Sequence, residues 1–195
     1  ADLGVEGSGG TAIFSVSGHV ETPGNYQVRL GIPFADLLEM AGGVWKGRSL
    51  KAVIPGGSSA RILPADVIMQ TNMDFESLKK AGSMFGSGAV MVMDETTCMV
   101  KLARFFMEFC VEESCGKCPP CRIGTRVMLE ILDRLCMGQG HAGDVEALEE
   151  LPGVGGQRFD VAALAFGVDR VEGQRGLARA GQAGDDDELV PGQIE

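Results

Sequence analysis

Three cysteines stand at two-residue intervals in Cys115-Gly-Lys-Cys118-Pro-Pro-Cys121, and they are half of the chain's 6 cysteines. A [4Fe–4S] cube needs thiolates that converge from one side, and successive C-x2-C steps on a turning backbone can aim each sulfur at a different iron. A structural zinc site would more usually show two such pairs separated by roughly a dozen or more residues, and only one knuckle is visible here. A dithiol redox pair, Cys118-Pro-Pro-Cys121, would leave Cys115 without a role and lacks the expected βαβ frame. Three bare loop thiols would be prone to oxidation. The residues therefore favour Cys115, Cys118 and Cys121 as iron–sulfur ligands, with zinc and thiol redox chemistry as the alternatives.

The segments on either side must hold that loop. Over residues 98–112 the polar positions Lys101, Arg104, Glu108 and Glu112 form one narrow stripe, which predicts a mostly buried helix. After the loop Ile123, Val127, Ile131 and Leu135 repeat every fourth residue beside Met128 and Leu132, with Arg126, Glu130 and Arg134 outside. That pattern predicts an amphipathic helix ending at Gly138. A third helix is expected over residues 143–151, stopped by Pro152-Gly153, and beyond it the signal decays toward a disordered acidic tail.

Upstream the period changes from 3.6 to 2. Apolar runs at 12–16 and 26–30 flank Thr22-Pro23-Gly24-Asn25 and predict a β-hairpin. A short helix follows at 33–40, then strands at 52–54 and 61–63 around a Gly/Ser turn, a helical piece at 75–80 and a strand at 89–93. The order gives an α+β chain whose first part is a ubiquitin-like β-grasp domain. Its expected divisions are 11–93 for the β-grasp, 94–165 for the helical cluster-binding domain and 166–195 for the tail. Gly7-Ser-Gly9-Gly10 and Gly86-Ser-Gly88 do not lie between a strand and a helix, so they read as turns rather than phosphate cradles. His19 reads as a satisfied strand or turn residue, His141 as a solvent-facing loop residue, and Trp45 and the methionines as core filler.

With 195 residues and 45% apolar content the chain can bury a real core. A net charge of −10 with no basic stripe excludes nucleic acid as a partner, and no apolar run is long enough to insert into a membrane. The absence of a signal-peptide pattern and the low cysteine count predict a cytoplasmic protein. The Gly-rich opening without an initiator Met predicts a piece of a longer chain.

Several motifs in order resemble a known family: Val16-Ser-Gly-His-Val20, Pro23-Gly-Asn-Tyr26, Pro55-Gly-Gly-Ser58, Met93-Asp-Glu-Thr-Thr-Cys-Met-Val100, and Glu112-Glu-Ser-Cys through Arg122 with Gly124-Thr125. Together they resemble the flavoprotein subunits of bacterial respiratory NADH:quinone oxidoreductases (complex I), over about residues 11–151. The same module occurs in NAD-reducing hydrogenases and formate dehydrogenases. The resemblance implies an SLBB domain followed by a helical [4Fe–4S] domain, with FMN and NAD bound by an upstream domain outside this chain, and so at no residue here. It implies partner subunits of the NADH dehydrogenase module, including one with a 2Fe–2S cluster, and a peripheral place on the inner face of the membrane. The family supplies a fourth cysteine 41 residues after the third, where this chain has Ala162. Cys136 lies 15 residues beyond Cys121, roughly 22 Å along a helix, and Cys98 is similarly distant, so Cys110 is the nearest replacement. Lys117 and Arg122 could favour the reduced form of an anionic cluster or simply serve solubility.

Overall fold

The computed structural model describes residues 3–150. The chain divides between Thr97 and Cys98 into two compact units. The first is built on a five-stranded mixed sheet of β1 (Thr11–Gly18), β2 (Gly24–Arg29), β3 (Leu50–Ile54), β4 (Leu63–Pro64) and β5 (Ala89–Asp94), in the order β2-β1-β5-β3-β4. The predicted hairpin is β1 and β2, paired antiparallel from Thr11↔Arg29 to Val16↔Gly24. The central pair, β1 and β5, is parallel, with Ser15 opposite Ala89 and Gly18 opposite Val92. Gly18 must be glycine: its φ is +84°, and a Cβ there would lie 2.3 Å from the Val92 carbonyl oxygen.

Alternation in β1 puts Phe14 and Val16 inside and leaves Ile13 and Ser15 outside. The inner face packs against Phe34, Leu37 and Leu38 of α1 (Phe34–Met40), together with Val28, Val53, Val90 and Val92. A helix over one face of a mixed sheet in this order is the predicted β-grasp. Helix α2 (Ala65–Ile68) was not foreseen, because four residues carry too little periodicity, and β4 begins two residues later than expected. Helix α3 (Phe75–Lys80) stands as predicted, its N-terminus capped by Asp74, whose carboxylate accepts from the Ser77 amide at 2.8 Å.

A polar knot closes β5. The Asp94 side chain is 0% exposed and accepts from Arg48 Nη1 at 3.0 Å, from the Thr96 amide at 3.0 Å and from Thr96 Oγ1 at 2.6 Å. Burial alone pushes this carboxyl up, but the hydrogen bonds from Thr96 and Arg48 outweigh it and hold it below the usual carboxylate range. The Asp94 amide lies 3.2 Å from His19 Nδ1, and the same nitrogen is 3.3 Å from the Asp94 carboxylate and from Thr97 Oγ1. His19 is thus the satisfied histidine that its motif predicted. Trp45 corrects the core-filler reading: it is half-buried, stacked on His19 at 6.2 Å, with Lys46 Nζ 3.9 Å from its ring centre. The methionines divide, with Met73, Met107 and Met128 buried and Met40, Met84 and Met137 exposed.

The second unit packs α4 (Met99–Glu112) against α5 (Thr125–Cys136) as an antiparallel pair, with α6 (Asp144–Glu150) beside α5. Its core is Val100, Ala103 and Met107 from α4, Met128, Ile131 and Leu132 from α5, and Leu148 from α6. Helix α4 is therefore buried on one face and not most of the way round, because Phe105 and Phe109 are 58% and 53% exposed. Ile123, expected on the core face of the helix, is 55% exposed and lies in a π-helical turn, Pro120–Gly124, that precedes α5.

Asp94→Asn should destabilise the first unit by about 1.5–3 kcal/mol at pH 7, since it replaces a buried carboxylate that accepts from Arg48 and Thr96 with an uncharged, donor-bearing amide, while Arg48 stays partly in solvent. A lowered carboxylate stabilises above its unfolded value of about 4 and loses that contribution as pH falls through its folded value. The gap between parent and variant should therefore narrow in acid, as read by urea unfolding with Trp45 fluorescence.

Candidate metal centre

Helix α4 ends where the Glu113 amide donates to the Phe109 carbonyl at 3.0 Å. The chain then turns through Gly116, whose φ of +71° suits glycine, and enters the π-helical turn at Pro120. The Arg122 amide donates to the Cys118 carbonyl at 2.9 Å, Thr125 Oγ1 donates to the Cys121 carbonyl at 2.6 Å, and Arg122 Nη1 reaches the Gly116 carbonyl at 3.4 Å. These ties fold the cysteine loop over the start of α5.

Cys115 and Cys118 are exposed and Cys121 is half-buried. Cys121 Sγ lies 3.1 Å from Ser114 Oγ. Among the described residues no three His, Cys, Asp or Glu side chains converge as ligands of a single ion. What fits an iron–sulfur group is the donor chemistry: three soft thiols within seven residues, no carboxylate between them, and two basic side chains, Lys117 and Arg122, on the same loop.

The remaining thiols lie along the helix pair. Cys110, in the last turn of α4, packs against the α4–α5 core, and its thiol is pushed up by burial and then by the neighbouring Cys121. Cys136 is likewise pushed up by burial, then by Cys98, which places those two together at the other end of the pair. Helix α5 runs unbroken to Cys136, as the sequence-based distance required. Ala162 and the predicted tail lie outside the described residues. Sequence reasoning missed Ser114, although a hydroxyl directly before the first cysteine was the available signal.

Known proteins share both halves of this arrangement. Residues 13–63 match the SLBB domain, and residues 101–157 match the NADH-ubiquinone oxidoreductase-F iron-sulfur binding region. The chain joins an SLBB domain to an oxidoreductase-F iron–sulfur region. It is 46% identical over 159 residues to the second F-type NADH-quinone oxidoreductase subunit of Rhizobium meliloti (strain 1021), covering 80% of this chain and 38% of that one. It is 40% identical to the NADP-reducing hydrogenase subunit HndC of Solidesulfovibrio fructosivorans, over 76% of this chain and 30% of that one. A crystal structure of NAD+-reducing [NiFe]-hydrogenase in the H2-reduced state superposes with a TM-score of 0.75 at 27% identity, over 91% of this chain and 31% of that one. The chain thus spans about a third of the length of these relatives. The SLBB match lies within the sheet unit, from β1 to the start of β4, and the iron–sulfur match begins within α4 and includes the cysteine loop.

Met128 sits under the loop-proximal part of the α4–α5 core and is 1% exposed. Met128→Ala should cost about 2–5 kcal/mol, measured by urea unfolding followed by helical circular dichroism.

Proposed function

We propose that Cys115, Cys118 and Cys121 hold a [4Fe–4S] cluster and that this module relays electrons within the NADH-oxidising subunit of an NADH:quinone oxidoreductase. The observation that supports this most is the three-thiol, carboxylate-free loop set between paired helices inside the matched iron–sulfur region. When bound, the cluster supplies one-electron transfer, which lets a two-electron donor feed single-electron acceptors. The chain's own residues supply thiolates, a loop pinned at Cys118 and Cys121, and the positive charge of Lys117 and Arg122 to offset the anionic site. No side chain here is assigned acid–base work.

In the complete subunit, FMN and NADH bind upstream of this chain, and electrons leave to neighbouring subunits, one of them carrying a 2Fe–2S cluster. The assembly sits on the inner face of the membrane. Among the described residues no helix is long and apolar enough to cross a membrane. Two of the relatives support a second reading, the same relay in a hydrogenase that reduces NAD or NADP.

Anaerobic reconstitution of the chain should give broad visible absorption and iron at up to about four atoms per chain, a count set by the cube. Zinc in its place, or no metal, would overturn the assignment. Cys118→Ser should weaken iron retention by about tenfold or more, as loss of a central ligand must exceed the effect of losing an outer partner. Ala162→Cys should raise iron retention if the chain reaches the site there, whereas a collapse in Cys110→Ser with no effect of Ala162→Cys identifies Cys110 as the fourth ligand. The isolated chain should bind neither FMN nor NADH, and micromolar flavin binding by fluorescence quenching would contradict the upstream placement.

A further inference from the structure

Ser114 lies just past the end of α4, where its amide reaches the Val111 carbonyl at 3.4 Å. Its Oγ has two neighbours: Cys121 Sγ at 3.1 Å and the Gly116 amide nitrogen at 3.3 Å. The Gly116 contact has one possible direction, and a Cys121 sulfur that binds a metal as thiolate has no proton to give, so toward it the hydroxyl must donate. A hydroxyl has one proton and two lone pairs, and a backbone amide can only donate. The Gly116 N–H therefore occupies a lone pair, and the single hydroxyl proton is free for the sulfur. The left-handed turn at Gly116, φ +71°, brings that amide back onto Ser114. Two neighbouring side-chain donors are engaged elsewhere, Thr125 with the Cys121 carbonyl and Arg122 with the carbonyl of Gly116.

We propose that Ser114 is a positioning residue that donates a hydrogen bond from Oγ to the Cys121 sulfur and thereby raises the reduction potential of the group Cys121 holds. The inference rests on Cys121 being a cluster ligand. Reduction adds negative charge that is shared by the ligand sulfurs, and a donor aimed at one of them stabilises the reduced form more than the oxidised form. The acceptor is half-buried, so the bond is less screened than one in open solvent. Ser114 also ties the end of α4 to the start of α5, which orients the Cys121 side chain relative to Cys115 and Cys118.

The test uses the full chain reconstituted with iron and sulfide, in four forms: parent, Ser114→Ala, Ser114→Thr and Ser114→Val. Thr and Val have nearly the same shape and differ in the hydroxyl, so their comparison separates the hydrogen bond from packing. Iron per chain, midpoint potential by dye-mediated EPR titration, and the coupling of a deuterium-exchangeable proton by ENDOR are read for each. The expected result is a midpoint shifted to more negative potential in the Ala and Val forms, a near-parental midpoint in Thr, and loss of one exchangeable coupling wherever the hydroxyl is absent. Equal midpoints for Thr and Val at equal iron content would overturn the role of Ser114 while leaving the cluster assignment standing. A parent chain that takes up no iron would overturn the assignment itself, and this inference with it. If Ala and Val load poorly while Thr loads normally, the coupling in Thr decides: its presence upholds the bond and its absence refutes it.

Discussion

The antiparallel contact between α4 and α5 is the constraint from which the loop geometry follows. Val100, Ala103 and Met107 meet Met128, Ile131 and Leu132 along one seam, and Arg104 bridges to Asp133 at 2.5 Å on its flank. Two helices packed this way bring the end of one beside the start of the other. The connection between Glu112 and Thr125 must then turn back within twelve residues. All three loop cysteines lie in that return, and Ser114 and Cys121 meet because they sit at its two feet. Remove the seam and the loop has spacing but no shape.

The polar features around the loop serve the same end. Its backbone carbonyls at Gly116, Cys118 and Cys121 each find a donor on the α5 side, Arg122 or Thr125, so these three ties hold the turn without using any thiol. Cys115 and Cys118 stay exposed, and the Cys121 sulfur meets only the Ser114 hydroxyl among the described hydrogen bonds. Cys110 is different in kind: packed into the seam, it is disfavoured as a thiolate by burial before any neighbour acts on it. Binding a metal there would have to outweigh that cost.

In the sheet unit the comparable constraint is Asp94, a carboxylate with no exposure whose partners come from three places in the sequence: Arg48, Thr96 and, through its amide, His19. The knot joins the β1–β2 turn region to the end of β5 and explains why His19 and Gly18 belong to one motif. Gly18 permits the close approach to Val92, and His19 meets an amide farther along β5. Burial without these bonds would be strongly unfavourable.

Short-range pattern determined much of this. Short apolar runs and turn residues fixed the hairpin and β5, period 3.6 fixed α1, α4 and α5, and cysteine spacing singled out the three-thiol loop, because each signal is carried by residues close together in the chain. Tertiary structure decided which faces are covered. Phe105 and Phe109 look identical to Met107 on an apolar helix, and only the single-sided packing of α4 leaves them exposed. Ile123 fits the α5 repeat by number, yet the π-helical turn shifts its phase and carries it outward. Ser114 and Cys121, or His19 and Asp94, are separated by 7 and 75 residues. Spacing cannot announce such pairs, since their contact depends on where a helix ends or how two strands align, and those are settled by the burial of other residues.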